Sequence, residues 1–356
     1  MMTKLRIALV IGDPAGIGPE ITAKVLADAS VRQQADILLI ADRAEAEKGM
    51  RYAGVEFPYR VVASPDAFAE ASGDVSPQQT QSQRLQGTPP VLYDYRGNTS
   101  GPFPFAEASE IGGRYCLETL KVAVSLALAG KVDGIVYAPL NKTSLHSAGM
   151  TEGGGELSWF AGQLGYTGPY CEFNVLGDLW TSRVTSHVAI QKVSSLITEE
   201  AIIETADLTH RALRQSGLAE PRIAVCGLNP HNGDNGNFGR EELDVIAPAV
   251  KRLRQKGMRV DGPFPADTIF LKVQGESKEY DAIVTMYHDQ GQIAMKLMGF
   301  WRGVTVLGGL PVPVTTTAHG SGFDIAGKGK ANPDSLRNAF GLACRMAETK
   351  RQAAAR

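Results

Sequence analysis

The sequence predicts an α/β protein with largely parallel sheets, and three observations indicate in turn its fold class, its number of domains and its kind of partner. Short apolar runs rich in β-branched residues recur along the chain, and stretches with helical spacing separate them. A chain of 356 residues is long for one hydrophobic core, so we expect two domains or one domain with a large insertion. The formal net charge is −2 and the lysines and arginines are scattered, which predicts a small-molecule partner rather than nucleic acid.

The predicted strands are apolar runs of the kind that is buried in a parallel sheet. They are, in chain order, RIALVIGD, ADILLIAD, VDGIVYAPL, RIAVCGLNP, DAIVTMYHD and GVTVLGG. A helix is predicted between Thr198, as its N-cap, and Gly217, as its stop. The segment 64–104 is rich in Ser, Gln, Gly and Pro, which predicts a long loop or a small insertion.

The remaining composition indicates where the protein works. The 4 cysteines lie far apart and form no C-x-x-C pair, so neither a disulfide framework nor a cysteine metal site is predicted. No stretch approaches the roughly 18 apolar residues of a membrane-spanning helix, and no signal-peptide pattern opens the chain. We therefore expect a cytoplasmic protein with no membrane segment.

The chain opens with IALVIGDPAGIGPEITAKVLAD, in which an apolar run breaks into glycines before a helix. This context suits a dinucleotide fingerprint, but the spacing G-x-G-x-x-G read from Gly16 would need a glycine at Ile21. A phosphate-binding P-loop is excluded as well, because no Gly-Lys-Ser or Gly-Lys-Thr follows. The motif instead predicts a tight strand-to-helix turn, with Pro19 at the helix start and Glu20 in its first turn.

Three histidines follow apolar runs, and in open α/β sheets ligands collect at the carboxyl ends of strands. His187 lies in RVTSHVAI, His231 ends IAVCGLNPH and His288 ends DAIVTMYHD. Imidazole is a common metal ligand, and three of them would leave positions open for a substrate. No local spacing joins the three, so the residues alone leave two readings open: a shared metal site, or histidines that merely form hydrogen bonds.

A second glycine cluster, AHGSGFDIAGKGKANPDSL, begins at Ala318. As a bare pattern it fits a surface loop as well as a ligand loop, but it resembles the adenosine-binding loop of the metal-dependent β-decarboxylating dehydrogenases. In that loop a His-Gly-Ser, an Asp five residues after the His and a later Asn-Pro hold the nucleotide. The resemblance implies that His319 and Gly320 pack by the adenine, Asp324 accepts hydrogen bonds from the ribose, and Asn332 contacts the base. An aspartate there favours NAD over NADP.

Motifs along nearly the whole chain resemble the 4-hydroxythreonine-4-phosphate dehydrogenase family of vitamin B6 synthesis. They are GDPAGIGPEI, APLNKTSLH, GLNPHNGDNGNFGREELDVIAPA, GPFPADTIF, MYHDQG and DIAGKG. The family implies a two-domain isopropylmalate dehydrogenase-like α/β/α fold with a central cleft. We expect residues 1–142 and 300–356 to form the cofactor domain and residues 143–299 the metal, substrate and dimerisation domain. The opening turn is then expected at the floor of the cleft, with Asp13 near the nicotinamide end.

The resemblance also implies a metal and a partner. In the family three histidines bind a divalent metal at a site shared between the two subunits of a homodimer, and they match His187, His231 and His288. Zinc is the first expectation, with magnesium, manganese, cobalt and nickel as alternatives. A metal-bound hydroxyl would lose its proton as a hydride passes to NAD, and a β-carboxylate would then allow decarboxylation.

The sequence departs from the family at the residues that bind the phosphate group of the substrate. The family's Gly-His-Thr-Glu segment becomes GMTEGGGELSWFAG here, so Met150 in one register, or Glu156 in the other, replaces the histidine. The family's substrate lysine matches Lys296, but its asparagine matches Thr305 and its arginine matches Val314. Because strong donors to a phosphate dianion are lost, we expect an unphosphorylated substrate, as for the terephthalate dihydrodiol dehydrogenase of the same family. The alternative is 4-hydroxythreonine-4-phosphate or 4-phosphothreonate or erythronate.

Further residues receive expected roles. Lys296 is expected to orient a carboxylate or move a proton, and Asp267 and Asp289 to orient histidine rings, with solvated or capping carboxylates as the alternative. Lys142 follows a buried strand and is expected either in the cleft or as an exposed helix-start lysine. A binding protein without catalysis, or a phosphotransferase, is disfavoured, because the histidines and cofactor loop are intact and no phosphate cradle is present.

Overall fold

The computed structural model describes residues 4–68, 87–95, 102–150, 155–275 and 278–355. The chain divides into two compact units, which we treat separately. The first unit comprises Met1–Thr167 and Leu310–Arg356, and the second comprises Gly168–Gly309. The predicted domain boundaries instead assigned residues 143–167 to the second domain and residues 300–309 to the first. Residues 143–167 belong to the first unit because both helices that they contain pack on the helix Glu110–Leu128 of that unit.

The strands of the described residues are short, and most are buried. In chain order they are β1 (Arg6–Val10), β2 (Asp36–Ala41), β3 (Arg60–Val62), β4 (Val91–Asp94), β5 (Gly134–Tyr137), β6 (Cys171–Leu176), β7 (Leu179–Arg183), β8 (Arg222–Cys226), β9 (Arg259–Phe264), β10 (Ala282–Thr285), β11 (Val304–Gly308) and β12 (Val314–Thr317).

The α-helices alternate with these strands along much of the chain. They are α1 (Gly18–Ala27), α2 (Ala29–Gln34), α3 (Arg43–Ala53), α4 (Glu110–Leu128), α5 (Lys142–Ser147), α6 (Gly155–Gln163), α7 (Val193–Leu196), α8 (Glu199–Gln215), α9 (Ala247–Gln255), α10 (His288–Gly299) and α11 (Asp334–Ala354). Among the described residues, no helix has both the length and the apolar character that crossing a bilayer requires.

The sheet of the first unit is parallel. Its strand order is β3-β4-β2-β1-β5-β12, and every described pair within it runs in parallel. Residues 7–10 of the central strand β1 are completely buried. Burial on both faces is what parallel strands between helix layers experience, and it explains why these strands are nearly continuous apolar runs.

Two glycines let the helices of the first unit approach closely. A Cβ at Gly49 of α3 would lie 2.2 Å from the carbonyl oxygen of Pro19 in α1, and one at Gly113 of α4 would lie 1.9 Å from that of Ser144 in α5. Ser109 caps α4, because its Oγ accepts a hydrogen bond from the Gly112 N–H at 3.1 Å. Helix α5 is thereby held against α4 within this unit.

The second unit contains a mixed sheet in the order β11-β6-β7-β10-β8-β9. Strands β7, β10, β8 and β9 are parallel, whereas β6 runs antiparallel to both β7 and β11. A tight turn joins β6 to β7, with Gly177 at φ 59°. Helix α10 is seated on this unit by Met295, which joins a core cluster with Leu179, Cys226 and Ile283.

The structure confirms the predicted α/β class and all six predicted strands, although each strand is shorter than its apolar run. The predicted helix between Thr198 and Gly217 is α8, and the Thr198 Oγ1 accepts from the Ala201 N–H at 3.1 Å. The prediction of a loop over 64–104 is wrong in part, because β4 lies there beside β2. The prediction missed this strand because the short run of Val91, Leu92 and Tyr93 lies in a segment whose composition is mostly polar. Residues 69–86 and 96–101 of the segment lie outside the described residues.

Candidate active site

Two adjacent parallel strands bring His187 and His288 together. The backbone continues the pairing of β7 and β10 past their ends, where the Val184 N–H donates to the Thr285 carbonyl at 2.9 Å and the Thr185 N–H to the Met286 carbonyl at 3.0 Å. The two imidazole rings that follow have their centroids 5.7 Å apart. The strand-end positions identified in the sequence therefore lie side by side in the second unit.

His288 is oriented by its neighbour. It begins α10, and its Nδ1 lies 2.7 Å from Asp289 Oδ1, which leaves Nε2 as the ring nitrogen available to a ligand. Gln290, which the sequence analysis missed, joins two strand ends: its Oε1 accepts from the Met286 N–H at 2.7 Å, and its Nε2 donates to the Gly227 carbonyl at 2.8 Å. The segment HDQG thus fixes the backbone from which His288 projects.

His231 lies in a loop with an unusual backbone. Five consecutive residues from His231 to Asn235 have positive φ between 43° and 73°, and only Gly233 among them is a glycine. Left-handed backbone costs roughly 1–2 kcal/mol for each residue with a Cβ, so the surrounding structure must stabilise it. The run NPHNGDNG is rich in Asn, Asp and Gly, which are the residues that adopt this conformation most readily.

A buried carboxylate stabilises this loop. Glu242 is only 2% exposed, and its Oε1 accepts from the backbone N–H groups of Leu228 and Asn229, both at 2.7 Å. The Asn229 side chain donates to Glu242 Oε2 at 3.0 Å, and the Asn232 side chain donates to the Pro263 carbonyl at 2.8 Å. Sequence reasoning missed Glu242, although an acid inside the run REELDVI is a signal for a buried anchor.

The described residues do not complete the predicted three-histidine set within one chain. Among them, no group of three or more His, Cys, Asp or Glu side chains is placed so that it could hold a metal ion. His187 and His288 lie side by side, but the exposed His231 instead lies 6.4 Å from the Phe238 ring, measured between centroids. Two adjacent imidazoles are suitable ligand chemistry for a divalent cation, yet they are fewer than a catalytic site uses.

A buried arginine lies at the end of β7, close in sequence to His187. The Arg183 guanidinium donates to Asn174 Oδ1 at 2.9 Å, to Glu172 Oε1 at 2.7 Å and to Ser186 Oγ at 2.9 Å. Asn174 in turn donates to Thr305 Oγ1 at 3.5 Å. The predicted substrate residue Thr305 therefore belongs to a polar network of the sheet, and the sequence analysis did not identify Arg183 or Asn174 as its partners.

Two other predicted residues of the second unit are exposed. Lys296 lies on α10 with its side chain in solvent, and Asp267 lies in the turn after β9, where the Thr268 N–H donates to the Pro265 carbonyl at 3.2 Å. Asp289 has a histidine partner in the structure, whereas Asp267 is exposed to solvent, and the roles of both in orienting histidine rings stay predictions. The role of Lys296 stays a prediction.

In the first unit, the predicted cofactor loop runs from β12 to α11. Burial lowers the pKa of His319, and its Nδ1 lies 3.1 Å from the Gly320 carbonyl. Asp324 is exposed, so its carboxylate is accessible to a ribose. The Asn332 Oδ1 accepts from the N–H of Asp334, the first residue of α11, at 2.8 Å, which leaves the amide nitrogen for a base.

The opening turn GDPAGIGPE packs directly against this loop. The Ile17 N–H donates to the Ser321 carbonyl at 2.9 Å, and a Cβ at Gly16 would lie 2.5 Å from the same oxygen. The first glycine motif therefore supports the second, roughly 300 residues later in the chain. The sequence analysis did not predict this contact, because nothing in either motif indicates the other.

Asp13 in this turn has its carboxylate enclosed by protein atoms, and its place near the nicotinamide stays a prediction. Its side chain is completely buried, with Oδ1 accepting from the Ala15 N–H at 2.9 Å and Oδ2 lying 3.5 Å from Ser144 Oγ. Burial raises the pKa of Asp13 from 3.8 to about 6. The carboxylate joins the opening turn to the start of α5.

Three more of the predicted residues also lie in the first unit. Glu156 on α6 accepts a hydrogen bond from the buried Tyr137 hydroxyl at 2.6 Å. Val314 is fully buried in β12, opposite Ile135 of β5, so packing explains the apolar residue there. Lys142 is the exposed first residue of α5. Residues 151–154, which include Thr151 and Glu152 of the first alternative register, lie outside the described residues.

Comparison with known proteins identifies the family. Residues 33–343 match the family model described as pyridoxal phosphate biosynthetic protein PdxA. A Pseudomonas aeruginosa protein with the provisional name 4-hydroxythreonine-4-phosphate dehydrogenase 2 is 57% identical over 347 residues, which is 97% of this chain and 98% of that protein. The 4-hydroxythreonine-4-phosphate dehydrogenase of Caulobacter vibrioides is 40% identical over 353 residues, covering 97% and 98% of the two chains. This chain belongs to the PdxA family.

Solved structures agree with this assignment. A 4-hydroxythreonine-4-phosphate dehydrogenase from Klebsiella pneumoniae shares 34% identity and a TM-score of 0.79, covering 97% of this chain and 98% of that one. The terephthalate 1,2-cis-dihydrodiol dehydrogenase from Burkholderia xenovorans is more distant, with 28% identity and a TM-score of 0.61 over 96% and 98% of the chains. Because the relatives are named as dehydrogenases, the prediction of an oxidoreductase acting on a CH–OH group is confirmed at the level of the family.

Proposed function

We propose that this protein is an NAD-dependent dehydrogenase that oxidises the secondary alcohol of a phosphorylated hydroxy acid, either 4-hydroxythreonine-4-phosphate or D-threonate 4-phosphate. The observation that carries the proposal is the full-length similarity to relatives named for these substrates, including a D-threonate 4-phosphate dehydrogenase from Pectobacterium atrosepticum that is 35% identical over 350 residues. This is the alternative of the sequence analysis rather than its main interpretation.

The burial of Val314 weakens the main argument against phosphate. The absence of an arginine at 314 suggested that a phosphate donor was lost, but a fully buried position paired with β5 has no exposed surface from which to reach a ligand. Lys296 remains exposed on α10, where an ammonium is suited to an anionic substrate group. A phosphorylated substrate is therefore compatible with the residues of this chain.

The chemistry of the proposed reaction follows from the substrate. The secondary hydroxyl of 4-hydroxythreonine-4-phosphate is on the carbon β to the carboxylate, so transfer of a hydride from that carbon to NAD and loss of the hydroxyl proton give a β-keto acid. Such an acid releases carbon dioxide as its carboxylate electrons move toward the ketone. In this proposal Asp324 and Asn332 bind the cofactor, and Lys296 orients the anionic substrate.

Glu156 supports a second candidate, the unphosphorylated carboxylated cis-diol. A carboxylate held in place by the buried Tyr137 hydroxyl stands where the family resemblance has a histidine. Such a carboxylate would repel a phosphate dianion and would accept hydrogen bonds from diol hydroxyls. The distant similarity to the terephthalate enzyme supports the same alternative.

One screen separates these candidates. Purified protein is incubated with NAD and, in parallel, with 4-hydroxythreonine-4-phosphate, D-threonate 4-phosphate or the terephthalate cis-dihydrodiol, while reduced nicotinamide and released carbon dioxide are measured. We expect turnover of a phosphorylated substrate, a higher KM in Lys296→Met, and no change in Lys251→Met, an exposed lysine of the same unit. Turnover of the dihydrodiol alone would establish the second candidate, and no turnover of any substrate would contradict both.

We also propose a homodimer, supported by an apolar stripe beside the histidine pair. Ile293, Leu297 and Trp301 are spaced four residues apart on α10 and the turn that follows it, and all three are more than half exposed. An exposed apolar helix face of this kind is typical of a protein interface. A second copy of this chain is the occupant that the family resemblance implies, and the stripe begins one turn after His288.

A further inference from the structure

An ion pair between a buried glutamate and a partly buried lysine joins α1 to the far end of the cofactor loop. Glu20 is completely buried, and its Oε1 accepts from the Ala331 N–H at 2.8 Å and from Lys24 Nζ at 2.8 Å. Lys24 Nζ also donates to the Gly329 carbonyl at 2.9 Å and to the Ala331 carbonyl at 2.8 Å. All three N–H groups of the ammonium therefore have an acceptor, and two of them hold the loop.

The charge of Lys24 compensates the buried charge of Glu20. Among the described residues, the second carboxylate oxygen of Glu20, Oε2, is buried without a hydrogen-bond partner, so Lys24 is the group that compensates the negative charge. A buried carboxylate is tolerated only when it is paired and hydrogen-bonded. Both side chains are thereby committed to the contact with residues 329–331.

The loop needs this support because its backbone turns sharply. Gly327 and Gly329 both have φ of 69°, a left-handed conformation that glycine adopts without strain but also leaves easily. Directly after the held segment, Asn332 accepts a hydrogen bond from the Asp334 N–H at the start of α11, and before it Asp324 lies in a short helical turn. The backbone of 329–331 therefore determines where these two side chains lie relative to each other.

We propose that Glu20 and Lys24 are positioning residues for dinucleotide binding, which hold residues 329–331 in the conformation that places Asp324 and Asn332 for the adenosine half. This inference rests on the proposed function. The apparent dissociation constant equals the intrinsic constant divided by the fraction of molecules whose loop is in the binding conformation. If that fraction falls to about one-tenth, binding weakens about tenfold. Hydride transfer is untouched once the cofactor is bound, so kcat stays unchanged.

The test uses the double variant Glu20→Gln/Lys24→Met. Replacing Lys24 alone would leave Glu20 charged, buried and unpaired, whereas the double variant is neutral and close to isosteric. Calorimetric titration with NAD and with ADP-ribose is expected to give a Kd about tenfold higher for both, with a matching rise in KM for NAD and an unchanged kcat at saturation. A simple loss of stability would not produce this division between KM and kcat.

The matched control is a second ion pair of the same unit that also joins distant segments. Arg351 on α11 donates to Asp133, just before β5, at 2.5 and 2.7 Å. We expect Asp133→Asn/Arg351→Met to lower the melting temperature and to leave the Kd for NAD and ADP-ribose as in the wild type. An equal rise in Kd in this control would overturn the proposal, as would an unchanged Kd in the Glu20/Lys24 variant.

A measurement on the wild-type protein serves if the variant does not fold. The proposal requires the Ala331 amide to be protected from hydrogen exchange before any NAD is added, because Glu20 already accepts its hydrogen bond. Exchange of this amide at the rate of an unstructured peptide in the cofactor-free protein would overturn the proposal. A folded wild-type protein that binds neither NAD nor ADP-ribose would instead contradict the proposed function.

Discussion

His187 and His288 stand side by side, with ring centroids 5.7 Å apart, each following the carboxyl end of one of two paired parallel strands. The pairing itself explains this proximity, because Thr285 is opposite Arg183 in the register and both histidines follow within one turn. Parallel strands carry their carboxyl ends to the same edge of a sheet, so strand-end residues of neighbouring strands converge there. The histidine pair is the part of the candidate site that this fold builds most directly.

The histidine pair leads to the first prediction. We expect His187→Ala and His288→Ala each to weaken the binding of added zinc by about 100-fold. Changing a residue that only supports a metal ligand costs roughly 10- to 100-fold in affinity, and loss of the ligand itself should reach the upper value. Calorimetric titration of metal-free protein measures this. His210→Ala is the control, since that histidine lies on α8. Full zinc affinity in both single variants would contradict a metal centre at the pair.

Glu242 should be needed for the stability of the His231 loop. Because it accepts two backbone N–H groups at a buried position, we expect Glu242→Ala to lower the free energy of unfolding by about 3 kcal/mol, as unpaired buried donors cost roughly 1–3 kcal/mol each. Urea denaturation measures the change. Glu220→Ala removes an exposed partner of Arg259 and should cost below about 1 kcal/mol. Equal losses in the two variants would refute the anchoring role.

Asp13 should make stability depend on pH. Its folded pKa of about 6 lies above the unfolded value of 3.8, so the folded state binds more protons between these values and this group's contribution falls as pH rises through that window. At pH 7 the ionised, buried carboxylate lowers the free energy of unfolding by up to about 3 kcal/mol. We expect Asp13→Asn to unfold at higher urea concentration than the wild type at pH 7, with the difference shrinking toward pH 4. A pH-independent difference would exclude this titration.

Asp324 should determine the choice of cofactor. Its exposed carboxylate is expected to accept hydrogen bonds from the ribose hydroxyls and to repel a 2'-phosphate. We therefore expect Asp324→Asn to raise the KM for NAD by about tenfold, the effect of roughly one charged hydrogen bond, and to lower the KM for NADP. Glu348→Gln, the same change at an exposed position of α11, should change neither value. An unaltered ratio of the two KM values would contradict this role.

The apolar stripe on α10 should hold two copies together. Leu297 is 84% exposed, and burying a leucine contributes about 2 kcal/mol, so a charge at its centre is expected to prevent association. We expect Leu297→Glu to sediment as a monomer and the wild type as a dimer in analytical ultracentrifugation. Leu128→Glu, on the first unit, where Leu128 is 60% exposed, should remain dimeric. A monomeric wild type would disprove the homodimer.

Strands and helices were predicted where local pattern alone determines them. Residues 7–10 and 282–284 are continuous apolar runs because both faces of a parallel strand are buried. Strand β6 escaped prediction, since Cys171 and Glu172 are only half-buried and its run CEFNVL mixes polar and apolar residues. Its antiparallel direction depends on a tight turn at Gly177, whose conformation the apolar pattern does not report.

The candidate site was predictable only in part. Strand-end histidines could be named because the rule that places them is a property of the sheet. The left-handed loop at His231 could not, because its backbone depends on Glu242 and on the Pro263 carbonyl, which lie further along the chain. The reason for a valine at 314, where the family has an arginine, could not be predicted either. Packing explains the valine, and only the structure shows that strand β12 is buried there.

The sequence by itself determined the α/β class, the position of the principal strands and the glycine turns, because these follow from residues that are neighbours along the chain. Only the tertiary structure decided that Glu20 of the first glycine motif holds the Ala331 backbone of the second. That contact forms between two segments that lie far apart in the chain and share no sequence pattern. Its strength comes from burial and charge pairing, which neither segment has alone.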